Sequence, residues 1–176
     1  MRVFNFFLFL LIFNFFNNPL LAHGPSRQKV SENISINADP TTVWEIVSNF
    51  KEFKWNSNIK KTIANDNNIG SERILEFING EKIKQKLEKV DKKKMFVGWR
   101  ILETDNKVLP VNSYAAKVFV KKNDDDSTNV NYKAGFYRGF MGNDPPEELN
   151  DENSKKKVEQ FIKESLKGLK KIAEKN

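Results

Sequence analysis

One helical stripe at the C-terminal end, with a long run of period-two segments before it, most constrains what this chain can fold into. Val158, Phe161, Ile162, Leu166, Leu169, Ile172 and Ala173 recur at three- and four-residue spacing, so they share one face of an α-helix that is stable only when that face is buried. Asn150-Asp151 stands before it, suited to cap the helix and to complement its dipole. Upstream, Arg73 to Ile78 and Lys82 to Val90 flank Asn79-Gly80. That pair tolerates positive φ at both central positions, which predicts a hairpin. Met95 to Glu103 follows with Met95, Val97, Trp99 and Ile101 on one face, then Tyr114, Ala116, Val118 and Val120. After the polar turn Asn123 to Ser127, Val130, Tyr132, Ala134 and Phe136 repeat the alternation. Consecutive half-buried strands with short turns make an antiparallel meander, and the helix must lie on it.

Ahead of the meander, Val30, Ile34 and Ile36 alternate with Ser31, Asn33 and Ser35, predicting a first strand. Asp39-Pro40 then opens a helix, with Asp39 as N-cap and Pro40 where its missing N–H costs nothing. Val43, Trp44, Ile46, Val47 and Phe50 give that helix its apolar face, and Lys51 to Trp55 admits a short second helix. The fold class is therefore α+β: a curved antiparallel sheet of a first strand and a six-stranded meander, wrapped around one long C-terminal helix. No internal repeat or second domain is visible, so one domain over 23–176 is expected, and the Asp124-Asp125-Asp126 cluster is a turn.

Residues 1–22 carry a different signal. Arg2 precedes an apolar run from Val3 to Phe16, broken by Asn5 and Asn14 and followed by the small residue Ala22. The run falls short of the roughly twenty apolar residues that cross a bilayer. It reads as a secretory signal peptide cleaved between Ala22 and His23; Leu20 makes the site imperfect and leaves an uncleaved anchor as the alternative. The expected location is the periplasm, with no stable membrane insertion after cleavage.

Composition excludes several function classes. There is no cysteine, so thiol catalysis, cysteine metal sites and disulfide staples are out. His23 is the only histidine, which leaves Ser-His-Asp catalysis and histidine-based metal hydrolysis without candidates in the body of the domain. As a mature N-terminus His23 could join its α-amine in holding copper, but Pro25 removes a nearby amide donor and no second histidine helps. The expectation is a non-enzyme with no metal and no cofactor. Lys and Arg outnumber Asp and Glu by 30 to 23. Outside the cell that balance points away from nucleic acid and toward acidic proteins or anionic surfaces, although the Lys, Asn, Phe and Ile bias of an A+T-rich genome would give the same excess. The sharpest local signal is Lys82, Lys84 and Lys86, which share one face of a strand.

Beyond these residue-by-residue readings, the order of elements resembles the START-like, or helix-grip, superfamily, also called the SRPBCC or polyketide cyclase/dehydrase-like group. Within it the chain resembles the MxaD family of periplasmic proteins. That resemblance is carried by His23-Gly24-Pro25, Ala38-Asp39-Pro40 with Val43-Trp44, Trp55, Leu109-Pro110-Val111, Tyr114, Phe136-Tyr137-Arg138-Gly139, Asn143-Asp144-Pro145-Pro146 and Leu149-Asn150-Asp151-Glu152. It implies an accessory of methanol or other quinoprotein alcohol oxidation, acting by contact between the periplasmic dehydrogenase and its c-type cytochrome, with Lys82, Lys84 and Lys86 as partner-binding residues. The superfamily also implies a second reading, a carrier that holds an apolar small molecule, lipid or quinone-like compound between sheet and helix. Phe53, Trp55, Phe77, Trp99, Tyr114, Phe136, Tyr137 and Phe140 are its candidate lining, with Arg138 to neutralise a ligand carboxylate. Each has a plainer alternative: the aromatics as core packing, Arg138 as a salt-bridged rim residue, and Asn143 to Pro146 as a turn rather than a contact loop.

Overall fold

A computed structural model describes residues 24–175. Seven strands form one sheet: β1 (Gln28–Ile36), β2 (Ile59–Ala64), β3 (Glu72–Phe77), β4 (Lys82–Asp91), β5 (Phe96–Thr104), β6 (Val111–Lys122) and β7 (Thr128–Arg138). Their order is β1-β7-β6-β5-β4-β3-β2, every neighbouring pair antiparallel. β2 to β7 thus form the expected six-stranded meander, and β1 closes onto the last strand, with Val30 opposite Ala134 and Ile34 opposite Val130. Register shifts lie in β5 at Leu102, where Lys84 and Gln85 face Glu103 and Ile101, in β4 between Leu87 and Lys89, and in β6 between Asn112 and Ala115; at each an extra residue bends a strand. They let the sheet curl around its partner.

That partner is α2 (Asp151–Ala173), which lies against β1 and β7 and buries Val158, Phe161, Ile162, Leu166, Leu169 and Ala173. Asn150 caps it by accepting from the Asn153 N–H, and Ser154 donates to the Pro110 carbonyl at 2.7 Å, tying its first turn to the loop before β6. The shorter α1 (Pro40–Ser48) begins as the sequence predicts, with the Asp39 side chain accepting from the Thr41 N–H at 2.7 Å. Those bonds hold the Asp39 carboxyl below the ordinary range.

Three local expectations need correction. Lys51 to Trp55 is a string of turns rather than a second helix; Phe53 and Trp55 both bury their rings in the core there, and residues two apart do not share a face of a helix. The β3–β4 loop has positive φ at Gly80 only. The Gly80 N–H donates to the Phe77 carbonyl and the Phe77 N–H to the Glu81 carbonyl, so the loop is three residues, Ile78 to Gly80, ending in a left-handed glycine. Met95, with φ of 46°, belongs to the turn before β5.

Gly168 explains how the turn after α1 fits beneath α2. A Cβ there would stand 2.4 Å from the Trp55 carbonyl oxygen, so the helix can seat the turn only where it has no side chain. The buried Asn56 fastens this contact, donating to Ser165 Oγ at 2.8 Å and to the Phe161 carbonyl at 3.3 Å.

Candidate functional site

The concave side of the sheet is lined by alternate strand residues, and the aromatic ones meet as a connected cluster. Phe53 lies 4.2 Å from Trp55 between ring centroids, Trp99 lies 5.6 Å from Tyr132, and Tyr114 stacks on Phe136 at 6.1 Å. Of the predicted lining, Phe53, Trp55, Phe77, Trp99, Tyr114 and Phe136 are thus brought together in the interior. Tyr137 and Phe140 are not. Tyr137, one residue out of phase with Phe136, projects to the opposite face of the sheet, with Arg27 over its ring at 5.6 Å. Phe140 lies past the end of β7 and is 38% exposed. Arg138 is on the concave side but committed locally: its Nη1 meets Asp151 at 2.8 Å, Nε donates to the Phe140 carbonyl and Nη2 to the Gly142 carbonyl. It pins the β7–α2 loop.

The residue that sequence reasoning missed is Arg73, which is 2% exposed. It occupies the inward position of β3 that alternates with Leu75 and Phe77. The signal was present, since a strand that buries Leu75 and Phe77 must also turn Arg73 inward. Its Nε donates to Gln85 at 2.7 Å, itself the inward residue between Ile83 and Leu87, and Nη1 donates to the Phe50 carbonyl at 3.2 Å. The guanidinium lies over Phe50, Phe53 and Trp99 at 4.1, 4.7 and 4.9 Å from their centroids. Burial lowers its pKa to about 9. The same burial pushes Tyr132 up to about 12 and Tyr114 well above the ordinary phenol value. Among the described residues no Asp or Glu is buried, so this interior holds a cation and no carboxylate.

At the open end of the grip a cleft of about 380 Å³ is lined by Phe77, Ile78, Val108 and Phe161, with Lys107, Lys157 and Glu164 on its rim. Phe161 also stacks on Phe53 at 6.1 Å. These two rings separate the cleft from Arg73.

The outer face of the sheet carries the lysines. Lys82, Lys84 and Lys86 do share one strand face, but acidic neighbours stand beside them. Glu76 is opposite Lys82 and Glu72 opposite Lys86, and Lys84 pairs with Glu72 at 2.9 Å and Glu103 at 3.9 Å. Glu72 raises the Lys84 pKa, chiefly through their hydrogen bond. On β6, β7 and β1 the outer positions differ. Lys117 is opposite Lys133, Lys133 opposite Ser31, and Lys29 and Lys121 are exposed on the same face. No carboxylate occupies an outward strand position there. Phe119 stacks on Phe96 of β5 at 4.7 Å along the edge of this band, where Asp91 stands opposite Phe96 and Glu88 lines the same surface.

Residues 27–174 match the family described as polyketide cyclase / dehydrase and lipid transport. The chain belongs to this family. Solved structures agree on the helix-grip fold that its members share. XoxI from Bacillus cereus is 20% identical with a TM-score of 0.69, covering 82% of this chain and 94% of that one. A protein from Nitrosospira multiformis is 19% identical with a TM-score of 0.68, covering 83% and 96%. Norcoclaurine synthase from Thalictrum flavum, an enzyme, is 15% identical with a TM-score of 0.61, covering 85% and 94%. No curated protein matches the chain. At these identities the likeness is one of fold, and the family fold hosts both catalysts and non-catalysts.

Proposed function

We propose that this family member works by contact: a non-catalytic periplasmic accessory of quinoprotein methanol or alcohol oxidation that promotes the meeting of the dehydrogenase with its c-type cytochrome. The observation that carries this reading is the basic band on the outer face of β6, β7 and β1, where no outward strand position holds a carboxylate, centred on Lys117 and Lys133 with the Phe96–Phe119 pair at its β5 edge. A positive surface bordered by aromatic rings suits transient docking to an acidic partner, where complementary charge acts mainly on the association rate. The interior supports the same direction, because its aromatic side chains touch one another rather than frame a large enclosed chamber. The MxaD-like motifs point to the dehydrogenase as the partner. The Lys82–Lys84–Lys86 stripe is the second surface to test, its charge partly offset by Glu72, Glu76 and Glu103.

The experiment is binding of the purified protein to a quinoprotein alcohol dehydrogenase and its cytochrome. The variants are Lys117→Glu with Lys133→Glu, and separately Lys82→Glu, Lys84→Glu and Lys86→Glu together. The first pair should slow association about tenfold or more at low salt, and the triple variant less. Equal association rates for all three proteins, unchanged as salt is raised, would sink the reading.

A further inference from the structure

Two surfaces of opposite character are left uncovered by the fold, and each has the chemistry to cover the other. The first is the loop between β7 and α2. Phe140 is 38% exposed and Met141 50%, yet the loop that displays them is braced along its length. Arg138 holds the Phe140 and Gly142 carbonyls, Asn112 donates to the Arg138 and Gly139 carbonyls at 2.9 and 2.8 Å, and the Phe140 N–H donates to the Leu149 carbonyl at 3.2 Å. A loop so held cannot turn its apolar side chains inward, and it loses little freedom when something else buries them. Around them the charge reverses. Residues 139–154 carry five carboxylates and no Lys or Arg, in a chain of net charge +7. Asp151 pairs with Arg138, whereas Asp144, Glu147, Glu148 and Glu152 are exposed and form no ion pair among the described residues.

The second surface is a hollow of about 440 Å³ on the outer face of the sheet, at the β5 edge of the basic band. Gly98 and Ala115 leave its floor bare, and Phe96 and Phe119 wall it. Lys89 stands over the Phe96 ring and Lys133 over the Phe119 ring, 5.7 and 5.6 Å from the centroids, with Lys94 and Lys117 beside them. The two carboxylates at this edge are engaged: Glu88 pairs with Arg100 at 3.3 Å, and Asp91 accepts from the Lys94 N–H at 3.0 Å. We propose that the hollow of one copy of this chain receives the Phe140–Met141 loop of a second copy, with the two apolar side chains against Phe96 and Phe119 and with Asp144, Glu147 and Glu148 among the lysines. The loop cannot reach its own hollow, since it is pinned at the end of β7, roughly 20 Å of extended chain beyond Lys133. The contact therefore joins unlike patches, head to tail. It covers the band by which the protein meets an acidic partner, but it does not depend on that partner, so either assignment can fail alone.

The test uses the purified protein alone, in sedimentation equilibrium at low salt up to about 1 mM, because a contact built on one loop belongs with small, weak interfaces. An average mass that rises with concentration is expected. A loop variant, Phe140→Ser with Met141→Ser, should weaken self-association about tenfold or more; the bonds that brace the loop run to backbone atoms, so its shape is kept. A band variant, Lys117→Glu with Lys133→Glu, should weaken it as much. The deciding measurement mixes the two variants. One brings an intact hollow and the other an intact loop, so together they should form a one-to-one complex about as tight as a single parental contact, although each alone is largely monomeric. A parent protein that stays monomeric, self-association unchanged in either variant, or a mixture that fails to pair would each overturn the proposal. Loss of dehydrogenase binding in the loop variant of a monomeric protein would assign the loop to that partner and overturn it too.

Discussion

Gly168→Ala sets two opposing effects against each other, and the structure says which wins. In the interior of a solvated helix, alanine is favoured over glycine by about 1 kcal/mol. Here the added Cβ would stand 2.4 Å from the Trp55 carbonyl oxygen and 2.8 Å from its carbonyl carbon. The obstacle is backbone, so no rotamer change relieves it; α2 or the turn carrying Phe53 and Trp55 has to shift. Overpacking of this kind costs about 1 to 3 kcal/mol, and a rigid backbone neighbour places it toward the upper end. The expected net loss is about 1 to 2 kcal/mol, a fall in Tm of roughly 2 to 8 °C for a domain of this size. Urea denaturation followed by tryptophan fluorescence measures it, with Lys167→Ala on the exposed side of the same turn as the control, expected within about 0.5 kcal/mol of the parent. Asn56→Ala, which loses the bonds to Ser165 and Phe161, should combine with Gly168→Ala less than additively because both loosen the same contact. If Gly168→Ala instead gains the full helix-propensity increment, the close seating of the turn against α2 is wrong.

Other expectations follow from features already described. Arg138→Met should cost about 1.5 to 3 kcal/mol, below the usual figure for a broken buried pair because Asp151 is 34% exposed on its side-chain surface and can recover water; limited proteolysis should then cut first within residues 139–146. At high pH, Tyr132 at about 12 and the raised Tyr114 keep their protons in the folded state, whereas unfolded tyrosines release them near 10. Their contribution is complete below pH 10 and is lost as pH climbs through 12; Arg73, held down at about 9, works in the opposite direction with one proton against two. Equilibrium unfolding between pH 9 and 12 should therefore show stability falling above 10, and a flat profile would contradict the burial of the tyrosine pair. Intact mass of protein exported from a Gram-negative host should begin at His23; a product retaining Met1 to Ala22 would refute the periplasmic assignment.

Most of the architecture was legible because alternation and helical spacing report which face is buried, and here both faces of the argument agree. Tyr114, Ala116, Val118 and Val120 point inward as their spacing requires, and so do Val130, Tyr132, Ala134 and Phe136. The N-caps were legible for the same local reason. The signal-peptide and His23 readings fall outside the described residues. What hid from the sequence was polarity in the wrong place. Arg73 and Gln85 obey the strand period but break the rule that inward positions are apolar, so a search for hydrophobic alternation passes over them. Tyr137 and Phe140 failed differently: aromatic character suggested the interior, while strand phase and the end of β7 put one on the outer face and the other in a loop. The lysine stripe was placed correctly, yet its ion pairs come from β3 and from β5 across a bulge, and cross-strand partners are invisible until register is known. Gly168 gave no sign in sequence of the close approach it permits.

The pairing of β1 with β7 sets Gln28 opposite Phe136 and Ile36 opposite Thr128, so the two ends of the domain depend on each other. Hairpins from β2 to β7 can form from neighbours as the chain emerges, but the first strand has no partner until the last one exists, and α2, which covers both, comes later still. Closing so long a loop is slow compared with local pairing. A nascent chain of this protein therefore remains unable to complete its core until synthesis is nearly finished, however early its hairpins pair.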